Sequence, residues 1–344
     1  MYLDLRSDTI TRPTEAMRKA MSQAIVGDDV YGEDPTVNEL EKAAAKLVNK
    51  QAEMFIATGT MGNQVAILTH TQRGDEVIVD SESHIFYYEA GAPAILAGVQ
   101  LRAIPELIEG DSVQLVKNAH RDEDIHYPKT SLVCLENTFN RGGGTYCKPQ
   151  KLKNIYEAVK QLNLSLHLDG ARIFNAAVAE KCNAADFTAH VDTIMFCLSK
   201  GLSAPVGSIL AGDKAFIDKA RKYRKILGGG MRQAGILAAA GLESLKLINR
   251  LEEDHDNAKR LALGLVEIDG LEVNLSKVQT NIVNVKLANK GTNANLVVGE
   301  LQKQGIRTSA TGINTLRLVT HREIIPRHIP LVITAFKKAL VRFT

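Results

Sequence analysis

At 344 residues the chain is long enough for one large domain with its own core and a smaller second one. Its 42 basic and 39 acidic residues leave a formal charge of +3, with no long run of one sign, which speaks against a nucleic-acid or membrane surface. Cys134, Cys147, Cys182 and Cys197 stand too far apart for a Cys-x-x-Cys pair, which argues against a zinc site or a disulfide framework.

The first residues carry charges where a signal peptide would carry its apolar stretch, and no apolar run approaches membrane-spanning length. A cytoplasmic protein is therefore expected. Short apolar segments then alternate with helical periodicity. Residues 53–57 predict a buried strand, followed by a small-residue turn and a helix that includes 64–71. Further strands are expected at 76–80, 98–104, 131–136, 164–168, 193–198 and 207–211, with a helix at 152–161. Strands of this kind separated by helices predict a mostly parallel sheet covered on both faces, an α/β fold.

The organisation changes near residue 245. A charged helix at 249–267 leads to a strand at 281–286, a helix at 293–304, strands at 306–309 and 315–319, and a terminal helix ending near Phe343. This pattern predicts a large domain over 1–245, N-terminal arm included, and a small α+β domain over 246–344.

Three features carry chemistry together, although each alone is weak. The turn Ala57-Thr58-Gly59-Thr60-Met61-Gly62 between strand and helix lets backbone N–H groups approach an anion, yet Thr60 also suits a plain helix cap. The run Leu166-His167-Leu168-Asp169 ends a buried strand in a carboxylate at the edge where open α/β sheets bind ligands. Asp169 there suits a pyridinium nitrogen, although a helix-capping aspartate is commoner and Arg172 is a possible ion-pair partner. Phe196-Cys197-Leu198-Ser199-Lys200 ends another buried strand in a lysine, whose desolvation would favour the neutral amine needed for a Schiff base. An anion cradle, a carboxylate and an amine, in that order on one sheet, form the arrangement that pyridoxal phosphate requires.

Longer motifs sharpen this reading. Asp4-Leu5-Arg6-Ser7-Asp8-Thr9 opens the set, followed by Gly27-Asp28-Asp29-Val30-Tyr31-Gly32-Glu33-Asp34-Pro35-Thr36 and Ser83-His84-Ile85-Phe86. His167-Leu168-Asp169-Gly170-Ala171-Arg172, Gly228-Gly229-Gly230-Met231-Arg232-Gln233 and Arg317-Leu318-Val319-Thr320-His321 continue it. With these motifs the chain resembles the threonine aldolases, fold-type I (aspartate-aminotransferase-like) enzymes that depend on pyridoxal 5′-phosphate. The resemblance runs over nearly the whole chain. It implies a seven-stranded large-domain sheet and retro-aldol cleavage of L-threonine or L-allo-threonine to glycine and acetaldehyde. It further implies a homotetramer whose active sites are shared between subunits.

Carried over residue by residue, the resemblance makes Lys200 the Schiff-base lysine and Asp169 the partner of the pyridine nitrogen. Arg172 would lie near the phenolic oxygen and the substrate. Gly59 and Thr60 would hold the phosphate, with Arg232 from a neighbouring subunit. His84 would stack on the ring and activate the β-hydroxyl, and His126 would lie on the hydroxyl side. Ser7 and Arg317 would bind the substrate carboxylate, with Tyr31 lining the pocket and Lys225 serving the phosphate or substrate region. The family usually carries a histidine where this chain has Phe139; if Phe139 faces the pocket, hydrogen bonding around the substrate changes.

Two rivals stay open at this point. A β-eliminating lyase or an aminotransferase would share Lys200, Asp169 and the phosphate loop, and only the motifs at 27–36 and 228–233 favour the aldolase. A non-catalytic phosphate- or nucleotide-binding module would use the same turn. The absence of Gly-x-Gly-x-x-Gly after the 53–57 strand weakens its dinucleotide form.

Overall fold

A computed structural model describes residues 2–289 and 291–342. Seven strands form the main sheet, in the spatial order Ala52–Ile56, Ser208–Gly212, Thr193–Cys197, Ser165–Asp169, Thr130–Glu136, Glu76–Asp80 and Gln100–Ile104. Ser208–Gly212 runs antiparallel to both of its neighbours, and every other pair in this sheet is parallel. The expected mostly parallel α/β sheet is thus present. Its central strands read as near-continuous apolar runs because helices cover both faces; Thr193–Cys197 is buried at every position.

Parallel pairing has a consequence for the site. It brings the carboxyl ends of successive strands to one edge, so Asp80, Glu136, Asp169 and Cys197 all end there. The helix Gly59–His70 starts at the same edge, two residues beyond Ala52–Ile56. Its residues Gly62 to Ile67 are all buried, which clamps its first turn against the sheet.

A second core is built from the C-terminal part of the chain. Its four-stranded sheet runs in the order Ser309–Ala310, Thr315–Val319, Ile282–Leu287, Leu271–Glu272. The helices Leu251–Val266, Ala294–Lys303 and Ile329–Leu340 contribute to this core, and Leu5 is buried within it. The N-terminal strand Leu3–Asp4 pairs in parallel with Ile306–Arg307. The first residues therefore pack on the C-terminal unit, and Ser7 and Thr9 reach the crevice described below.

Two expected strands come out differently. The 306–309 segment divides, because Ile306–Arg307 bonds the N-terminal strand while Ser309–Ala310 bonds Thr315–Val319. The strand expected to begin at 98 begins at Gln100, since Pro93–Ala97 forms a wide helical turn that Gly98 ends at φ 66°. Phe343, the expected end of the terminal helix, lies outside the described residues. Among the described residues no helix is long and apolar enough to cross a membrane.

Candidate active site

At the carboxyl edge of the sheet a crevice of about 380 Å³ opens between the large-sheet unit and the C-terminal unit. Lys200, Asp169, His84, Arg172, Ser7 and Arg317 all line it. Lys200 follows the buried strand Thr193–Cys197 by three residues, and its carbonyl accepts from Thr11 Oγ1 at 2.8 Å, which fixes the backbone there. Asp169 is only 2% exposed. One oxygen accepts from the Ala171 N–H at 3.0 Å and the other from Asn63 Nδ2 at 2.8 Å. A carboxylate held by two donors has a set direction.

The same Asn63 nitrogen also donates to Glu89 Oε1 at 2.8 Å. Glu89 in turn lies 2.8 Å from His84 Nδ1 and accepts from Gln64 Nε2 at 2.5 Å. A carboxylate offers only acceptors, so Nδ1 of His84 carries the hydrogen, and in the neutral imidazole Nε2 keeps its lone pair. Burial lowers the His84 pKa, but the Glu89 hydrogen bond and the charges of Asp169 and Glu89 outweigh it, and the pKa stands above the usual histidine value. Beneath Asn63, Oδ1 lies 3.2 Å from His167 Nε2, and His167 Nδ1 lies 2.9 Å from Thr193 Oγ1. Burial, then the nearby His70, pushes His167 down to about 3, so it stays neutral. Asn63 therefore joins the carboxylate aimed at the crevice to the carboxylate that orients the histidine.

Arg172 donates Nε and Nη2 to the two oxygens of Asp8, at 2.8 and 2.7 Å. Burial alone would raise the Asp8 pKa, but the charge and hydrogen bonds of Arg172 dominate and hold it far below the carboxylate range. Arg317 donates Nη1 to Asn140 Oδ1 at 2.7 Å and Nη2 to the Arg6 carbonyl at 3.0 Å, while its buried Nε–H has no partner. Among the described residues no carboxylate forms an ion pair with Arg317, so a half-buried guanidinium faces the crevice with its charge unpaired.

Gly59 and Thr60 do not line this crevice. They stand beside it: a Cβ on Gly59 would lie 2.9 Å from Cys197 Sγ, at the end of the strand that leads to Lys200. Gly62 is tighter, with its Cβ position 2.5 Å from both Ile56 Cδ1 and Met195 Cγ. Thr58 Oγ1 accepts from the Met61 N–H at 3.0 Å, and the Gly59 and Thr60 N–H groups have no acceptor among the described residues. The cap therefore belongs to Thr58, not Thr60.

Four other expected residues lie elsewhere on the chain. Tyr31 and Lys225 line a separate cavity of about 370 Å³ with Asp29, Arg221 and Arg224. Arg232 pairs with Asp28 at 3.2 Å. His126 is exposed, its Nδ1 2.7 Å from Asp124 Oδ1 in the same loop. Phe139 is buried in the main core, with Gly142 pressed against its ring, so it does not face the crevice; Asn140, the next residue, does.

Asn63, Glu89, Glu136, Asn140 and Asp8 take part in the site without having been expected there. Two had a legible signal. Asn63 is a polar residue inside a run of small and apolar ones, and Glu136 ends an apolar strand in an acid just as Asp169 does.

Comparison with known proteins gives a consistent picture. A family model described as Beta-eliminating lyase matches residues 4–288. The low specificity L-threonine aldolase of Escherichia coli (strain K12) is 43% identical, over 99% of this chain and 100% of its own. A probable low-specificity L-threonine aldolase 2 of Arabidopsis thaliana is 42% identical, over 98% of this chain and 96% of its own. A threonine aldolase of Leishmania major shares the fold, with a TM-score of 0.81 at 20% identity, over 97% of this chain and 98% of its own.

The cofactor is pyridoxal 5′-phosphate, and the residues present fit it. A lysine amine and a buried, directed carboxylate share one crevice, and two unpaired N–H groups at a helix start, packed against Cys197, suit a phosphate. Similarity along nearly the full length of the aldolase relatives, together with this donor set on a fold-type I sheet, shows that the chain belongs to the low-specificity L-threonine aldolases.

Proposed function

We propose that this protein cleaves the Cα–Cβ bond of β-hydroxy-α-amino acids, L-threonine and L-allo-threonine among them, to give glycine and an aldehyde. One observation carries the reading. A lysine, a directed aspartate, a histidine with a free Nε2 and an arginine without an acidic partner line a single crevice.

When bound through Lys200, pyridoxal phosphate supplies a ring that accepts the electron pair of a bond broken at Cα. Gly59 and Thr60 would hold its phosphate, Asp169 its ring nitrogen, and Arg172 the side of its phenolic oxygen. Arg317 and Ser7 would grip the substrate carboxylate and so fix how the amino acid is turned in the crevice. His84 takes the β-hydroxyl proton at Nε2 while Glu89 holds the proton on Nδ1. With the proton gone, the hydroxyl oxygen becomes the carbonyl of the leaving aldehyde.

Tyr31, Lys225, Arg232 and His126 lie away from the crevice of their own chain, which supports a homotetramer whose subunits complete one another's sites. The exposed Tyr31 and Ile125 fit such contacts. The separate cores support a division into domains 1–245 and 246–344, with the first residues packed on the second. The cleavage would consume threonine and form glycine, and a cytoplasmic location is part of the same proposal.

Incubation of the holoenzyme with L-threonine tests the reading. Glycine and acetaldehyde in equal amounts are expected, and a 2-oxo acid instead would place the chain with the eliminating or transaminating enzymes. Lys200→Ala is expected to release no acetaldehyde and to show no borohydride-fixed cofactor; normal release from that variant overturns the assignment.

A further inference from the structure

Glu136 ends the strand beside the one that ends in Asp169, and the two residues are paired in register. It is 5% exposed and lines the crevice. Each of its oxygens has a separate task. Oε2 accepts from the His84 backbone N–H at 2.6 Å. Oε1 accepts from the Asn140 backbone N–H at 2.9 Å, and Asn140 Oδ1 then accepts from Arg317 Nη1 at 2.7 Å.

We propose that Glu136 is a positioning residue which ties the hydroxyl end of the substrate site, at His84, to the carboxylate end, at Arg317. The inference rests on the roles proposed above for those two residues. No other described side chain accepts from both the His84 and the Asn140 backbone. Ser83, which precedes the short helix His84–Tyr87, makes no side-chain cap bond, and the His84 backbone N–H goes to Glu136 instead. Asn140 presents its side chain to Arg317 from a backbone that Glu136 holds at the N–H, while the Gly143 N–H donates to its carbonyl at 3.2 Å. A shift of the carboxylate moves both grips at once, and the distance between them must match the span from carboxylate to β-hydroxyl in the substrate. Burial first, and then the Asp169 charge, raises the Glu136 pKa to about 7.

Glu136→Gln tests the link, because the amide keeps the shape but accepts at only one of its two terminal atoms. Two readouts separate the two ends. Glycine has no hydroxyl, so its affinity for the holoenzyme, followed by the visible spectrum, reports the carboxylate grip alone. Threonine cleavage reports both. Glu136→Gln is expected to weaken glycine about ten-fold and to lower kcat about ten-fold, with the cofactor spectrum intact; one of the two contacts is lost outright and the other loses its charge assistance. Asn140→Ala cuts only the arginine branch and is expected to raise KM more than it lowers kcat. In the double variant the glycine losses are expected not to add, since both act through one path.

Unchanged glycine affinity and kcat in Glu136→Gln overturn the proposal, as do additive losses in the double variant. If Glu136→Gln does not fold, the Asn140→Ala split decides, and kcat falling more than KM rises overturns it. Failure of the function itself looks different: the unaltered holoenzyme would release no acetaldehyde from threonine.

Discussion

Asp8 and Arg172 lie 164 positions apart and form two parallel hydrogen bonds, with their side chains 0% and 6% exposed. This pair fastens the N-terminal arm, which carries Ser7, to the turn that follows Asp169. Removing one partner leaves a buried charge unpaired, which costs about 3–5 kcal/mol. Asp8→Ala is expected to lower stability by that amount in urea unfolding and to weaken substrate binding as Ser7 loosens. A change below about 1 kcal/mol would show that the pair is not buried as described.

His84 and Glu89 make a second testable pair. His84→Phe removes the base and is expected to lower kcat by roughly 10²- to 10⁴-fold. Glu89→Gln keeps the imidazole but removes the charge that raises its pKa. The base works unprotonated, so activity rises as pH passes the His84 pKa. Lowering that pKa moves the acid limb of the pH–rate profile to lower pH. A limb that stays in place in Glu89→Gln would detach it from His84.

For Arg317, replacement by Lys keeps the charge and loses the planar fork. One charge-assisted hydrogen bond is worth about 1.5–3 kcal/mol, so KM is expected to rise roughly 10- to 100-fold. Steady-state kinetics with threonine check this, and kcat/KM for a substrate amide lacking the carboxylate should barely respond to the change.

The buried histidines govern acid stability. His70 and His167 are pushed down to about 4 and about 3 from 6.5, by burial first. Below pH 6.5 the unfolded chain binds protons that the folded chain refuses. Their stabilising contribution is therefore complete above that pH and is lost as pH falls towards the folded values. His70→Gln, which can still donate to Thr193 Oγ1, removes one titrating site. The fall in stability between pH 6 and pH 5 is expected to be smaller in the variant by about 1 kcal/mol. Equal slopes in the two proteins would mean that His70 is protonated in the folded state.

Some parts of this molecule were readable before any coordinates. Thr193–Cys197 and Glu76–Asp80 are apolar enough to be buried on both faces, and local sequence alone places them as strands. Asp169 and Lys200 were readable for the same reason: each polar group interrupts an apolar run at a strand end, where the fold leaves an opening. Glu136 offered the same signal. Asn140, in a loop, offered none, because its importance comes from a guanidinium 177 positions away.

Apolar periodicity and strand-end polar residues by themselves determined the α/β class, the order of the elements and the carboxylate and amine of the crevice, since these depend on local burial and on chain direction; the roles of His84, Ser7 and Arg317 came from the family resemblance. The tertiary structure decided pairings between distant segments. Leu3–Asp4 joined Ile306–Arg307, Arg172 took Asp8, Phe139 turned into the core, and Asn63 bridged two carboxylates. Such contacts close loops of tens to hundreds of residues, and no local pattern encodes which distant donor arrives at a given acceptor.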